Sequence, residues 1–374
     1  MKSMTRISIV AVLLGAILLL DGCVDLTRNK KGSLITFTTS TGEVGTKTFY
    51  GDDFANHTWQ YIVWEEGDVI QVVSDNAACA SGKHFANYEI DEVTGNSNHQ
   101  SYGTIAPTPN GLEWGDAQYY DFYSVTPAPG TGAVLALYGP DDLNENNAER
   151  IGTVRCNLPA TPATPTTTTT KTVTADGTTY TYTVYPPDMN YAVMSASAKG
   201  FDKNSEEDVS LLFKPAFTAF EFNLTSADEE ITVTKVELAA AGTTDRLAGT
   251  YLFTAGSSIV PSDAVPNPVE VVGTGNSSSV SMTMNQTLTT STGVTFTFFT
   301  IPIVNTGMVS LKVTTNRGTA TLNLTKANSS EAYKFEPGKK YRINLLKVGE
   351  TWKIFFDVDV DPWIEATPAT TVII

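Results

Sequence analysis

The sequence predicts an all-β protein, and three observations carry that prediction. Apolar and polar residues alternate with period two over most of the chain after residue 32, which puts every second side chain on one face of an extended strand. Turn-forming Gly, Pro, Asn and Asp punctuate these runs roughly every 8 to 12 residues, the spacing of sandwich strands and not of βαβ units. Beyond the N-terminal apolar stretch no helical period of useful length occurs, except one short turn expected within residues 141–149.

The elements follow in chain order. Lys2 and Arg6 precede 14 apolar residues, 7–20, too few for the roughly 20 that cross a bilayer as a helix but the length of a secretory core. Leu20-Asp21-Gly22-Cys23 then resembles a bacterial lipobox. Residues 1–22 are read as a lipoprotein signal peptide and Cys23 as the lipidated first residue of the mature chain. Arg28, Lys30 and Lys31 come next, ahead of Leu34-Ile35-Thr36-Phe37, an alternating first strand with Ile35 and Phe37 as its inward pair. Lys47 is the basic residue after that strand.

Cys79 and Cys156 lie in an oxidising compartment, so they either pair as a disulfide or remain free buried thiols. Spacing alone does not decide between the two, because pairing depends on a short Cα–Cα distance. The Thr-rich stretch 158–185 reads as a long hairpin, with Asp176-Gly177 supplying the positive φ angles of its turn; the competing reading is a flexible or O-glycosylated linker. Residues 199–209 form a charged, Gly-containing break, and a domain boundary is placed there. Beyond it Phe220, Phe222 and Leu224 share one face, as do Val280, Met282 and Met284, then Val294, Phe296 and Phe298, then Tyr341, Ile343 and Leu345. Trp352, Ile354, Phe356, Val358 and Val360 alternate with Lys353, Asp357, Asp359 and Asp361. The chain closes on Thr370-Thr371-Val372-Ile373-Ile374.

Composition narrows the function. At 374 residues the chain has room for two cores on a prior of roughly 150 residues per domain. Its 24 Lys+Arg against 40 Asp+Glu give a formal charge of −16, which argues against nucleic-acid binding and against a polybasic grip on anionic lipid. With 41% hydrophobic residues it buries too much apolar surface to be disordered. The three histidines, His57, His84 and His99, lack metal-pair spacing, and no nucleophile elbow or phosphate loop is present. Asp357, Asp359 and Asp361 read as a solvated acidic stripe on one strand face. No catalytic residue, metal or cofactor is expected, and the chain is not read as an enzyme.

Several segments together resemble a family. Trp64-Glu65-Glu66-Gly67-Asp68-Val69-Ile70 is similar to the Trp-x-x-Gly-Asp-x-Ile segment of fimbrillins, the type V pilus subunits of Bacteroidales. Leu112-Glu113-Trp114 followed by Tyr120-Asp121-Phe122-Tyr123-Ser124-Val125-Thr126-Pro127 resembles another of their strands. Phe213-Lys214-Pro215-Ala216-Phe217, Leu247-Ala248-Gly249-Thr250-Tyr251, Phe298-Phe299-Thr300-Ile301-Pro302, Phe335-Glu336-Pro337-Gly338 and Asp361-Pro362-Trp363 fit later elements in the same order.

The resemblance implies two transthyretin-like β-sandwich domains, assigned here to 49–203 and 204–374, behind a lipidated propeptide, 23–48, that carries a removable first strand. It implies export as an outer-membrane lipoprotein, held by its lipid anchor until cleavage, and incorporation into a surface fimbrium. A trypsin-like protease then removes the first strand, and a strand from another subunit fills the groove. Lys47 is the implied cut, competing with a plain role as a solvated strand residue; cutting at Arg28 or Lys31 frees the lipid but leaves the groove closed. Val372 and Ile374 are candidate donor-strand residues, the alternative being an edge strand of their own domain. The implied partners are other pilus subunits, with a host or bacterial surface ligand left open. The competing function is a lipid-anchored, glycan-binding surface module using Trp59, Tyr61 and Tyr119.

Overall fold

The computed structural model describes residues 30–41, 49–52, 60–95, 101–106, 110–142, 150–175, 178–205, 207–227, 230–241, 245–260, 262, 268–302, 309–324, 335, 338–348, 351–357 and 372–373. The first strands are β1 (Phe37–Thr41), β2 (Phe49–Asp52), β3 (Gln60–Val63), β4 (Val69–Ser74), β5 (Phe85–Gly95), β6 (Ser101–Ala106), β7 (Tyr119–Thr126) and β8 (Val134–Leu137). The middle of the chain holds β9 (Thr153–Leu158), β10 (Thr169–Ala175), β11 (Thr178–Tyr185), β12 (Met194–Asp202), β13 (Val209–Pro215), β14 (Thr218–Ser226), β15 (Ile231–Ala240) and β16 (Ala248–Thr254). The last are β17 (Val269–Ser277), β18 (Ser279–Leu288), β19 (Thr292–Thr300), β20 (Val309–Thr315), β21 (Gly318–Leu324), β22 (Lys340–Val348), β23 (Thr351–Asp357) and β24 (Val372–Ile373). Among the described residues no α-helix occurs; Pro140–Asp142 and Met189–Tyr191 are single 3-10 turns. The chain is all-β, as the alternation predicts.

Two hydrophobic cores organise the strands. The first lies within a closed barrel of order β1-β13-β12-β7-β4-β5-β6 and against a four-stranded sheet, β17-β16-β9-β8. The second lies between a seven-stranded sheet, β10-β11-β19-β14-β22-β23-β24, and a four-stranded one, β18-β15-β20-β21. Strict alternation translates directly into burial: β13 buries Val209, Leu211 and Phe213, and β18 buries Val280, Met282 and Met284. The hairpin expected within 158–185 is present as β10 and β11, with Ala175 opposite Thr178.

Two expectations change. Thr295 and Thr297 alternate with core residues, yet they are buried too, because β19 and β14 lie in the middle of the large sheet with both faces covered. Sheet membership also crosses the proposed divide at 203/204 in both directions. β13, β16 and β17 pack on the first core, while β10 and β11 extend the sheet of the second. Hydrogen-bonded edges, not chain order, set which core a strand joins.

Cys79 and Cys156 form no disulfide; both are free and buried. Cys156 lies mid-strand in β9, opposite Val134 and Tyr251, and burial pushes its thiol pKa up. The Cys79 sulfur instead sits 3.0 Å from Ser81 Oγ in the β4–β5 loop. Each thiol is committed to its own surroundings.

Candidate functional site: the groove of the first strand

The segment from residue 30 to β1 runs along the rim of the first core, exposed at 31–34 and buried at Ile35. Gly32 N–H donates to Trp114 O at 2.8 Å, Trp114 N–H to Ser33 O at 3.0 Å, and Ile35 N–H to Leu112 O at 2.8 Å. This pairing runs antiparallel, with Leu34 bridged to Glu113. The chain then enters β1, which pairs parallel with β13 (Phe37 opposite Val209) and antiparallel with β6 (Thr39 opposite Gly103). Both edges of β1 are therefore bonded, and it is the strand that closes the barrel between β13 and β6. Without it those two strands present open edges of unpaired N–H and C=O groups.

Side chains complete the fit. Ile35, Phe37 and Thr39 are each no more than 2% exposed, whereas Thr38 and Ser40 between and beyond them are half-buried. The Phe37 ring meets Tyr88 and Phe122 edge-on, at centroid distances of 5.2 and 5.3 Å, a favourable aromatic arrangement. Leu112 N–H donates to Tyr88 Oη at 2.8 Å, which fixes that ring. Thr39 Oγ1 donates to Gly103 O at 2.9 Å. The sequence reading identified Ile35 and Phe37 but missed Thr39; extending the same period by two residues would have found it.

The Trp-x-x-Gly-Asp-x-Ile segment lies close by and explains its own pattern. Gly67 takes a φ of +89° to close a turn, and its N–H donates to Ile90 O. The Asp68 carboxylate accepts from Glu65 N–H at 3.0 Å. Trp64 packs edge-on against Phe213 of β13, and Ile70 is fully buried. The motif thus pins β4 and β13, one of the walls β1 leans on.

Two lysines anchor the entrance. Lys30 Nζ donates to Ser205 O at 2.5 Å and lies 5.7 Å above the Trp114 ring. Lys31 Nζ pairs with Asp116 at 2.7 Å, and that hydrogen bond with its charge holds the Asp116 carboxyl below its usual range. Of the other candidates, Cys23, Arg28, Lys47, Trp59 and Ile374 lie outside the described residues. Val372 belongs to β24, opposite Phe356 of β23 at the edge of the large sheet. Tyr61 is placed in β3, and Tyr119 is 55% exposed at the start of β7. Chemically, the groove is a holder for one extended strand: two rows of backbone partners and three enclosed side-chain slots. Among the described residues no three His, Cys, Asp or Glu side chains gather as a metal site.

No family model and no curated protein matches the chain. Among solved structures it is similar to a "putative cell adhesion protein" from Bacteroides uniformis, with a TM-score of 0.51 and 14% identity over 89% of this chain and 98% of that one. A second protein of that description, from Bacteroides ovatus, gives a TM-score of 0.48 and 14% identity over 90% and 99% of the two chains. A fimbrial assembly protein from Parabacteroides distasonis gives 0.41 and 13% over 87% and 98%. At these identities the Bacteroides uniformis match establishes a shared fold.

Proposed function

We propose that this chain is a pilus component, a subunit or a tip or anchor piece, acting in adhesion at the cell surface. It is exported as a lipoprotein through Cys23 and assembled by proteolysis-triggered strand exchange. Each core then corresponds to one transthyretin-like sandwich. The observation that carries the proposal is the segment from Ile35 through β1: β1 is bonded on both edges, and Ile35, Phe37 and Thr39 fill enclosed slots contributed by elements far along the chain. Removing such a strand leaves a ready template for another.

The anchored lysines bear on where the cut falls. A protease needs extended, accessible backbone, but Gly32 N–H is bonded to Trp114 O and the Lys31 ammonium to Asp116. Lys31 is therefore a poor site, and cleavage belongs at Arg28, which leaves the groove closed, or at Lys47, which opens it. The donor side is served by the C-terminal tail with Val372 and Ile374, because β24 meets β23 at only two paired positions, Phe355–Ile373 and Phe356–Val372. So short an edge strand is easily detached.

Trypsin treatment of the full-length protein tests the reading. We expect a ladder of SDS-resistant oligomers whose new N-terminus, read by mass spectrometry, is Thr48. Lys47→Gln abolishes the ladder and Arg28→Gln does not. A ladder of normal length from Lys47→Gln, or without any protease, overturns the proposal.

A further inference from the structure

We infer that the β1 groove selects its occupant at the third of three slots, which admits threonine or something smaller behind two apolar side chains, on a strand running parallel to β13. The inference rests on the proposal that β1 is replaceable, and it states the chemistry of the strand that replaces it. The first slot is taken by Ile35 beside the Leu112 backbone, with its own N–H bonded to Leu112 O. The second is an aromatic box, in which Tyr88 and Phe122 both present to Phe37 at right-angle geometry.

The third slot is the selective one. Gly103 of β6 lies directly opposite Thr39, and its φ falls outside the left-handed range that favours glycine, so glycine is needed there for space. A Cβ at Gly103 would stand 2.7 Å from Thr39 Oγ1, 3.0 Å from Ile90 Cγ2 and 3.2 Å from Ile90 Cδ1. The missing side chain of β6 makes the room that Thr39 fills, with Ile90 as its back wall. The hydroxyl then donates to Gly103 O, so the slot is both short and polar-tolerant at a site where Thr39 is 1% exposed. A longer side chain has nowhere to go except into Ile90. A strand carrying leucine or a larger apolar residue at the third position therefore fails, although its hydrophobicity is greater.

The test uses the full-length chain with a specific protease site placed within residues 42–48, cut so that the groove alone retains β1. Fluorescent peptides of residues 33–41 are supplied in excess, and their incorporation is followed on native gels. The unmodified and Thr39→Ser peptides enter comparably, and Thr39→Leu enters roughly tenfold or more weakly, as expected for overpacking. Equal entry of the unmodified and Thr39→Leu peptides overturns the slot rule and leaves the replaceable strand standing. If no peptide enters, the replaceable-strand reading fails, and the rule is read from the uncut chain instead. There Thr39→Leu lowers the melting temperature well below that of Thr38→Leu, and equal melting of the two overturns it.

Discussion

Phe37 shows at the scale of one residue why the first strand is held firmly. Its ring is 2% exposed and touches Tyr88 and Phe122, which come from β5 and β7. Truncation leaves a cavity lined by two rings that cannot collapse independently. Phe37→Ala therefore costs about 3–5 kcal/mol in urea denaturation of the full-length chain, while the half-buried Thr38→Ala stays within about 0.5 kcal/mol. Similar costs for both would show that the strand's inward face is misassigned. Alternation made Ile35 and Phe37 legible in the sequence. Thr39 falls on the same period, but why a threonine is enclosed there shows only with Gly103 opposite it. The surface contact is different in kind: the Lys31–Asp116 pair is exposed on both sides, and solvent screens such pairs so that they contribute little to stability.

At the scale of elements, the large sheet is tied across its middle by one buried carboxylate. Glu221 of β14 accepts from Lys340 Nζ at 2.7 Å and Arg342 Nε at 2.8 Å, both on β22, with Lys171 Nζ of β10 at 3.9 Å. Burial by itself would raise the Glu221 pKa, but the three cations, Lys340 foremost, outweigh it and hold the carboxyl well below its usual range. A depressed pKa stabilises the fold fully above the ordinary carboxylate value and loses that contribution as pH falls below it. We expect acid destabilisation setting in below about pH 4.5, the ordinary Glu value. Glu221→Gln lowers stability at neutral pH, since it removes the buried charge that these three cations share, and flattens that acid limb. Urea midpoints at neutral and acid pH check both, and an unchanged acid limb in the variant would exclude Glu221 as its source. Beside it, Thr295 Oγ1 donates to Asn223 Oδ1 at 2.6 Å and Asn223 Nδ2 to Asn344 Oδ1 at 2.8 Å. These polar residues sit where alternation predicts solvent. Period two reports which side chains share a face and says nothing of what covers the other face.

At the scale of the whole molecule, the two cores exchange segments. The β10–β11 hairpin precedes β12 in the chain yet joins the second core's sheet through a parallel pairing with β19. β16 follows β14 and β15 yet returns to pair with β9 on the first core. A fragment of residues 49–203 thus lacks β1, β13, β16 and β17, and carries a hairpin with no sheet to join. We expect fragments 49–203 and 204–374 to be aggregated or unprotected against amide exchange when expressed apart, while the full-length chain is protected in β7, β9, β14 and β19. A well-protected monomeric 49–203 fragment would show that the shared strands are dispensable.

The sequence by itself determined the all-β class, the shared faces of strands such as β18 and β22, the hairpin of β10 and β11, and the apolar pair Ile35 and Phe37; the Asp176-Gly177 turn lies outside the described residues. All of these follow from local rules, because pleat periodicity and turn chemistry act over a few residues. Only the tertiary structure decided that β1 lies parallel to β13, that Gly103 leaves room for Thr39, that Cys79 and Cys156 stay apart, and that strands from either side of residue 203 share sheets. Each of these depends on which distant edges meet. Edge pairing is set by backbone hydrogen bonds that are the same for every sequence, so it leaves no local mark until the whole chain has closed around its two cores.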